Sequence, residues 1–287
     1  MIKNSISSDG RGRLFIRFLI FVLILSGLGI TFYRPALVTV FSAVLQRNDS
    51  SIGLFVPIFS GYILWRRFAE IKQLPLQANW LSGLLVTLTG IILFFLSKYT
   101  EYFLILAVLS LLCISGGLIL LLFGSAIFKK TAFPLFFLVT MTPIPLAIYA
   151  AIAEQIRLSS TWGAVKIARF LGVELYRDDF YIHLSQTTLF VADSCSGIRY
   201  FFSYFVCLLF YAAGFKQTMV GRLVVMLGFI PLALLAGMVR IATIILAAHY
   251  ISPTLAEYRP HVVISWSVFL VFLVGFVSLD RYLSKAR

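Results

Sequence analysis

The chain has 287 residues, 61% of them hydrophobic and only 12% charged, with a mean hydropathy of +0.99. A soluble core of this size cannot hide so much apolar surface, which excludes a water-soluble enzyme and leaves a polytopic membrane protein. The formal net charge of +13 gathers at the ends of apolar runs and no polar basic domain exists to hold a duplex, so it reports topology rather than nucleic-acid binding.

In chain order, residues 1–13 are polar and basic (Lys3, Arg11, Arg13), and no small-residue cleavage site follows the next apolar run. Residues 14–33 therefore read as a first span with a cytoplasmic N-terminus rather than as a signal peptide. Residues 34–51 read as a short external connection. A second span over about 52–65 ends at Arg66-Arg67; it is short for the hydrocarbon, which leaves room for residues from 37 onward to dip in with it. The third span covers about 80–97 and reaches an external loop, Lys98 to Tyr102. An apolar run from Phe103 to Phe128 then crosses with tilt to Lys129-Lys130. The fifth span begins near Ala132 and meets Pro143 and Pro145, which end or kink it.

Residues 146–194 are the least membrane-like. From Leu146 to Leu171, Glu154, Arg157, Lys166 and Arg169 interrupt apolar positions at helical intervals, the pattern of an amphipathic helix on the membrane surface. From Val173 to Ala192 the period moves toward two, with Tyr, Phe, Ile, Thr and Val enriched, as in a strand or hairpin. The sixth span, about 196–214, precedes Lys216 and Arg222. The seventh runs from Leu223 toward Tyr250, is expected to be interrupted by Pro231 and Gly237, and carries Arg240. A loop, 251–260, leads to His261, and the eighth span, 262–279, ends in a basic tail. The expectation is an all-α polytopic membrane protein, a single domain over 1–287 with about eight transmembrane helices. Both termini are then cytoplasmic and 146–194 is external.

Three cysteines, Cys113, Cys195 and Cys207, make no disulfide framework. If helical, Cys195 and Cys207 lie about 18 Å apart, beyond disulfide reach. Cys113 and Cys207 sit deep in apolar runs and read as packing residues. Cys195 is different, because it lies in VADSCSGIRY (191–200), a small polar run before an apolar one. Asp193 or Ser194 is the expected N-cap, which would put the Cys195 thiol in the first turn of the next helix. Arg199, four residues on, would share its face about 6 Å along the axis. A helix N-terminus and a nearby arginine both raise the thiolate fraction. Taken alone, the same cysteine reads more readily as a buried, inert one.

Its company decides the matter. Arg240 lies within an apolar helix, where a charge costs from about 2.5 kcal/mol upward and suggests function; snorkelling is the alternative. His261 opens the eighth span, where interfacial hydrogen bonding is the alternative. His183 and His249 stand in no comparable constellation. By topology Cys195, Arg240 and His261 reach one level at the outer face. Together they define acyl transfer: Cys195 attacks a peptide carbonyl, His261 protonates the leaving amine, and Arg240 stabilises the oxyanion. The cysteines are too scattered for a zinc site, and no phosphate loop or HExxH is present, so no metal or other cofactor is expected.

With those residues assembled, the chain resembles the exosortase/archaeosortase family from about Asn48 onward. SIGLFVPIFSGYILWRR (51–67) is similar to the family's early span, TPIP (142–145) to its proline motif, and LGVELYRDDFYIHL (171–184) to the segment before the cysteine. DSCSGIRYFF (193–202) resembles the active-site motif, particularly of bacterial exosortases associated with exopolysaccharide loci, while GMVRIA (237–242) and HVVISW (261–266) resemble the arginine and histidine motifs. The resemblance implies a cysteine protease or transpeptidase of the bacterial inner membrane, with its site at the outer face. Its substrates would be membrane-anchored proteins ending in a PEP-type motif, a transmembrane helix and a basic tail. Cys195 matches the nucleophile, Arg240 the catalytic arginine, His261 the catalytic histidine and Arg199 a second arginine, suited to substrate or thiolate support. The acyl acceptor, water or an amine on a lipid or glycan, is left open. Three positions depart from the pattern: Ile52 where many members have histidine, Gly237 where Asn often stands, and Ser265 for a common glycine. The competing reading is a non-catalytic scaffold or transporter for exopolysaccharide export, with Arg199 and Arg240 lining a polar path.

Overall fold

The computed structural model describes residues 8–46, 52–100, 102–185, 187–191, 197–215, 218–252 and 258–285. Among them the expected all-α membrane architecture is present, with ten α-helices and one small three-stranded sheet. The chain separates into two compact units, Met1–Ile144 and Pro145–Arg287.

The first unit contains α1 (Ser8–Thr31), α2 (Arg34–Gln46), α3 (Phe55–Ile71), α4 (Trp80–Ser97), α5 (Phe103–Leu122) and α6 (Ser125–Phe137), followed by a 3-10 turn, Leu138–Met141. The stretch 34–51, expected as a connection, is helical over Arg34–Gln46. Pro35 falls in the first turn of α2, where a missing N–H is tolerated, and the axis turns by 79° from α1. The apolar run 103–128 is not one span either. Gly124 adopts φ +93°, a conformation open to glycine and strained for other residues, and Lys129-Lys130 fall inside the new helix α6. Hydropathy alone could not show that change of direction.

The α4–α5 pair is the tightest in this unit. A Cβ at Gly90 would stand 2.9 Å from the Ile114 backbone nitrogen, and one at Gly117 would stand 2.9 Å from the Gly83 carbonyl oxygen. Backbones approach this closely only where small residues line the seam, as in membrane helix pairs. Ser60 of α3 donates to the Pro134 carbonyl of α6 at 2.8 Å, and Arg67 Nη1 donates to the Lys130 carbonyl at 2.9 Å. The second bond has a clear cause. Pro134 has no N–H to offer Lys130 four residues earlier, so that carbonyl takes its donor from α3.

The second unit contains α7 (Leu146–Phe170), β1 (Leu175–Asp178), β2 (Tyr181–Leu184), β3 (Thr188–Phe190), α8 (Ile198–Phe215), α9 (Met219–Tyr250) and α10 (Tyr258–Lys285). The strands form an antiparallel meander, order β1-β2-β3, with Tyr176 opposite His183 and Tyr181 opposite Phe190. Alternation sends Ile182 and Leu184 inward, onto Ala164, Val165 and Ala168 of α7 and Ile241, Ile245 and Ala248 of α9. Tyr181 and Phe190 are left exposed on the other face.

Helix α7 runs beside α9. Ser160 meets Gly237, Gly163 meets Met238, and the Tyr250 hydroxyl donates to the Leu171 carbonyl at 3.3 Å. Positions rise together along both helices, so they lie parallel, with Ser160, Ala164 and Ala168 at four-residue spacing forming a small-residue seam. The amphipathic pattern of 146–171 thus marks a helix with one side on α9. Helix α9 is continuous through Pro231 and Gly237, so the expected interruption does not occur. On its other side α9 joins α8 and α10 around Tyr204, Leu208, Ala236 and Phe269. The Tyr204 hydroxyl donates to the Phe269 carbonyl at 3.1 Å, and the Tyr211 hydroxyl to Asp280 Oδ2 at 2.7 Å.

Among the described residues, α4, α5, α9 and Val262–Leu283 of α10 are each long and apolar enough to cross a membrane, and the bent pair Ile16–Thr31 with Arg34–Ser42 makes a fifth. The expected crossings on α3, α6 and α8 fall on helices that do not meet that test. Length and composition thus support up to five of the eight expected spans.

Candidate active site

Arg240 is the centre of the described site. It lies on α9 and is only 2% exposed, so snorkelling to water is not its solution. Its guanidinium carbon is 5.1 Å from the Tyr200 ring centroid, within the range where an aromatic face stabilises a cation. Its Nη2 is 3.6 Å from where a Cβ on Gly197 would stand. Gly197 has φ +83°, and its carbonyl accepts from Phe201 N–H at 2.9 Å, opening α8. A side chain there would strain the backbone, while its Cβ would only make van der Waals contact with the arginine.

Asp193, Ser194 and Cys195, the expected cap and nucleophile, lie outside the described residues. Helix α8 begins at Ile198, directly after Gly197 at positive φ. Arg199 is the second residue of α8, and His261 is the fourth of α10; both are placed here by backbone alone.

A small cavity joins the three helices. Gly197 and Tyr200 of α8, Gly237 and Arg240 of α9, and Ser265 and Phe269 of α10 line it. About 10 Å³ is open to a water-sized sphere, close to the minimum that holds one water molecule. Ser265 is 1% exposed and follows His261 by four residues, about one helical turn. Gly237 precedes Arg240 by three residues and lies on the same side of α9. Both positions were visible in the sequence as departures at helical spacing from a candidate site residue. Tyr200, flanked by other aromatics, carried no such signal.

The remaining candidates find local roles. Cys207 packs in the α8–α9–α10 cluster, and Cys113 is half-buried on α5. His183 stacks on Tyr176 at 5.9 Å and lies 3.0 Å from Thr188 Oγ1, while His249 meets the Tyr250 ring edge-on. Among the described residues no group of three or more His, Cys, Asp or Glu side chains is arranged to ligate a metal.

A family model described as transmembrane exosortase (Exosortase_EpsH) matches residues 44–278, a stretch that includes Cys195, Arg199, Arg240 and His261. No curated protein and no solved structure matches the chain.

Proposed function

Because the chain belongs to the transmembrane exosortase family, we propose that it is a cysteine protease or transpeptidase acting on membrane-anchored proteins with a C-terminal sorting signal. The Cys195 thiol gives its proton to His261, and the sulfur attacks the carbonyl of the scissile peptide bond. Arg240 stabilises the negative charge on the tetrahedral oxygen. The C–N bond breaks as His261 returns the proton to the leaving amine, and the acyl group stays on Cys195. Water or an amine on a lipid or glycan then takes the acyl group. Arg199 supports the thiolate or a substrate carboxylate.

The observation that carries this reading is the cavity lined by Gly197, Arg240 and Ser265. Gly197 follows Cys195 by two residues and Ser265 follows His261 by four in the sequence, which supports a site shared by the three candidates. Depth supports the outer face. Arg222 and Arg240 are eighteen residues apart on one continuous helix, about 27 Å at 1.5 Å per residue. That is close to one hydrocarbon thickness. With Arg222 at the cytoplasmic end, Arg240 emerges at the opposite interface.

The test is mass spectrometry of a coexpressed membrane protein carrying a PEP-type motif, an apolar helix and a basic tail. The active chain is expected to remove the helix and tail, and Cys195→Ala to leave them attached while still accumulating in the membrane. Complete processing by Cys195→Ala contradicts the reading and favours a non-catalytic scaffold.

A further inference from the structure

Val191 and Gly197 are the described residues on either side of segment 192–196, and one turn of α7 touches both. On the entry side, Val191 N–H donates to the Phe180 carbonyl at 2.9 Å, the last rung of the sheet. Arg157 of α7 covers that rung. Its guanidinium carbon is 3.5 Å from the Phe180 ring centroid, and its Nη1 is directed at the Val191 carbonyl at 3.5 Å. On the exit side stands the neighbouring residue, Ile156. It is 7% exposed, its Cγ2 lies 3.8 Å from where a Cβ on Gly197 would stand, and it packs with Ile198.

The other basic residues of this helix behave differently. Lys166 lies over Trp162 of its own helix at 3.6 Å, and Arg169 donates to the Leu175 carbonyl only six residues away at 3.2 Å. Arg157 reaches 34 residues along the chain, to the point where the sheet hands over to the cysteine segment. A planar guanidinium can stack on a ring and direct an N–H at a carbonyl at the same time, which an ammonium does less well.

We propose that Arg157, backed by Ile156, is a positioning residue that fixes both ends of the segment carrying Cys195. This rests on the reading of Cys195 as the nucleophile. The contacts described for Arg157 are with Phe180 and Val191, and through them it sets where the thiol is presented. Displacement of a reacting group by about 1 Å can lower a rate by roughly a hundredfold, so loss of this hold is expected to be large in rate and small in substrate affinity.

The test uses the full chain with Cys113→Ser and Cys207→Ser, purified in lipid nanodiscs, and iodoacetamide as the probe of Cys195 across pH. Arg157→Leu is expected to slow alkylation at neutral pH at least about tenfold and to move the pH midpoint upward, because a misplaced thiol loses its activating surroundings. Arg157→Lys, which keeps a cation over Phe180 but not the guanidinium's simultaneous aim at the carbonyl, is expected to recover part of the rate. Phe180→Leu removes the ring and is expected to reproduce the loss by a second route. Lys166→Gln, at a residue of the same helix that lies over Trp162, is expected to leave the profile unchanged. Alkylation of Arg157→Leu within about twofold of the parent, a difference too small for misplacement, overturns the proposal; so does Arg157→Lys as slow as Arg157→Leu. Processing by Cys195→Ala reads the nucleophile assignment separately: processing lost in that variant, with alkylation unchanged in Arg157→Leu, overturns the positioning role alone.

Discussion

Gly237 sits three residues before Arg240 on α9 and faces Ser160 of α7. A Cβ at 237 would stand 2.7 Å from the Ser160 hydroxyl oxygen, and that oxygen is buried with no hydrogen-bond partner among the described residues. Two effects compete in Gly237→Ala: alanine favours the helix by about 1 kcal/mol, while overpacking costs about 1–3 kcal/mol. The single variant is therefore expected to be destabilised, and Ser160→Ala to be near neutral, since it removes an unpartnered hydroxyl. The double variant is expected to be more stable than the sum of the two, read by thermal unfolding as a favourable coupling. Simple additivity would contradict the contact. At this scale Arg240 was legible from sequence because a charge inside an apolar run has few explanations. The start of α8 was not. A run of Asp, Ser and Gly looks the same whether an aspartate caps the helix or a glycine at positive φ turns the chain into it.

At the scale of elements, composition located the helices better than it joined them. The break between α5 and α6 falls at one positive backbone angle, at Gly124, and α9 runs on through Pro231; hydropathy shows neither. The α3–α6 contact shows how such joins are held. Arg67→Met leaves the Lys130 carbonyl without its donor and is expected to lower stability by about 1–2 kcal/mol. In a Pro134→Ala background the alanine N–H can serve that carbonyl, and the loss is expected to shrink; an equal loss in both backgrounds contradicts the account. The same join carries a pH signature. Lys130 Nζ lies 2.6 Å from Glu70 Oε2, and this hydrogen bond, then the lysine charge, holds the Glu70 carboxyl below its usual range. A depressed acid stabilises the fold above its ordinary pKa, and that contribution fades as pH falls through the lowered value. Both groups are well exposed, so Glu70→Gln is expected to remove only a shallow acid-side decline in stability.

At the scale of the whole molecule, apolar content identified a membrane protein, and ordered motifs identified the family whose model covers residues 44–278. That match crosses the boundary between the two compact units, whereas every residue lining the cavity belongs to Pro145–Arg287. The number of crossings was the least legible feature. Helices α3 and α8 are near the lower limit of span length and α6 falls below it, where hydropathy does not separate a crossing from a buried or re-entrant helix. The site was legible to the extent that helical spacing ties Ser265 to His261 and Gly237 to Arg240. The central claim is that the segments bearing Cys195 and His261 meet beside Arg240. The most direct measurement is a cross-link in the chain with Cys113→Ser and Cys207→Ser and a protease site introduced after Lys216. With His261→Cys, a short bis-methanethiosulfonate reagent is expected to keep the two proteolytic fragments joined until reductant is added, whereas Ser278→Cys near the other end of α10 is expected to leave them separate. Fragments that separate equally in both variants would contradict the account.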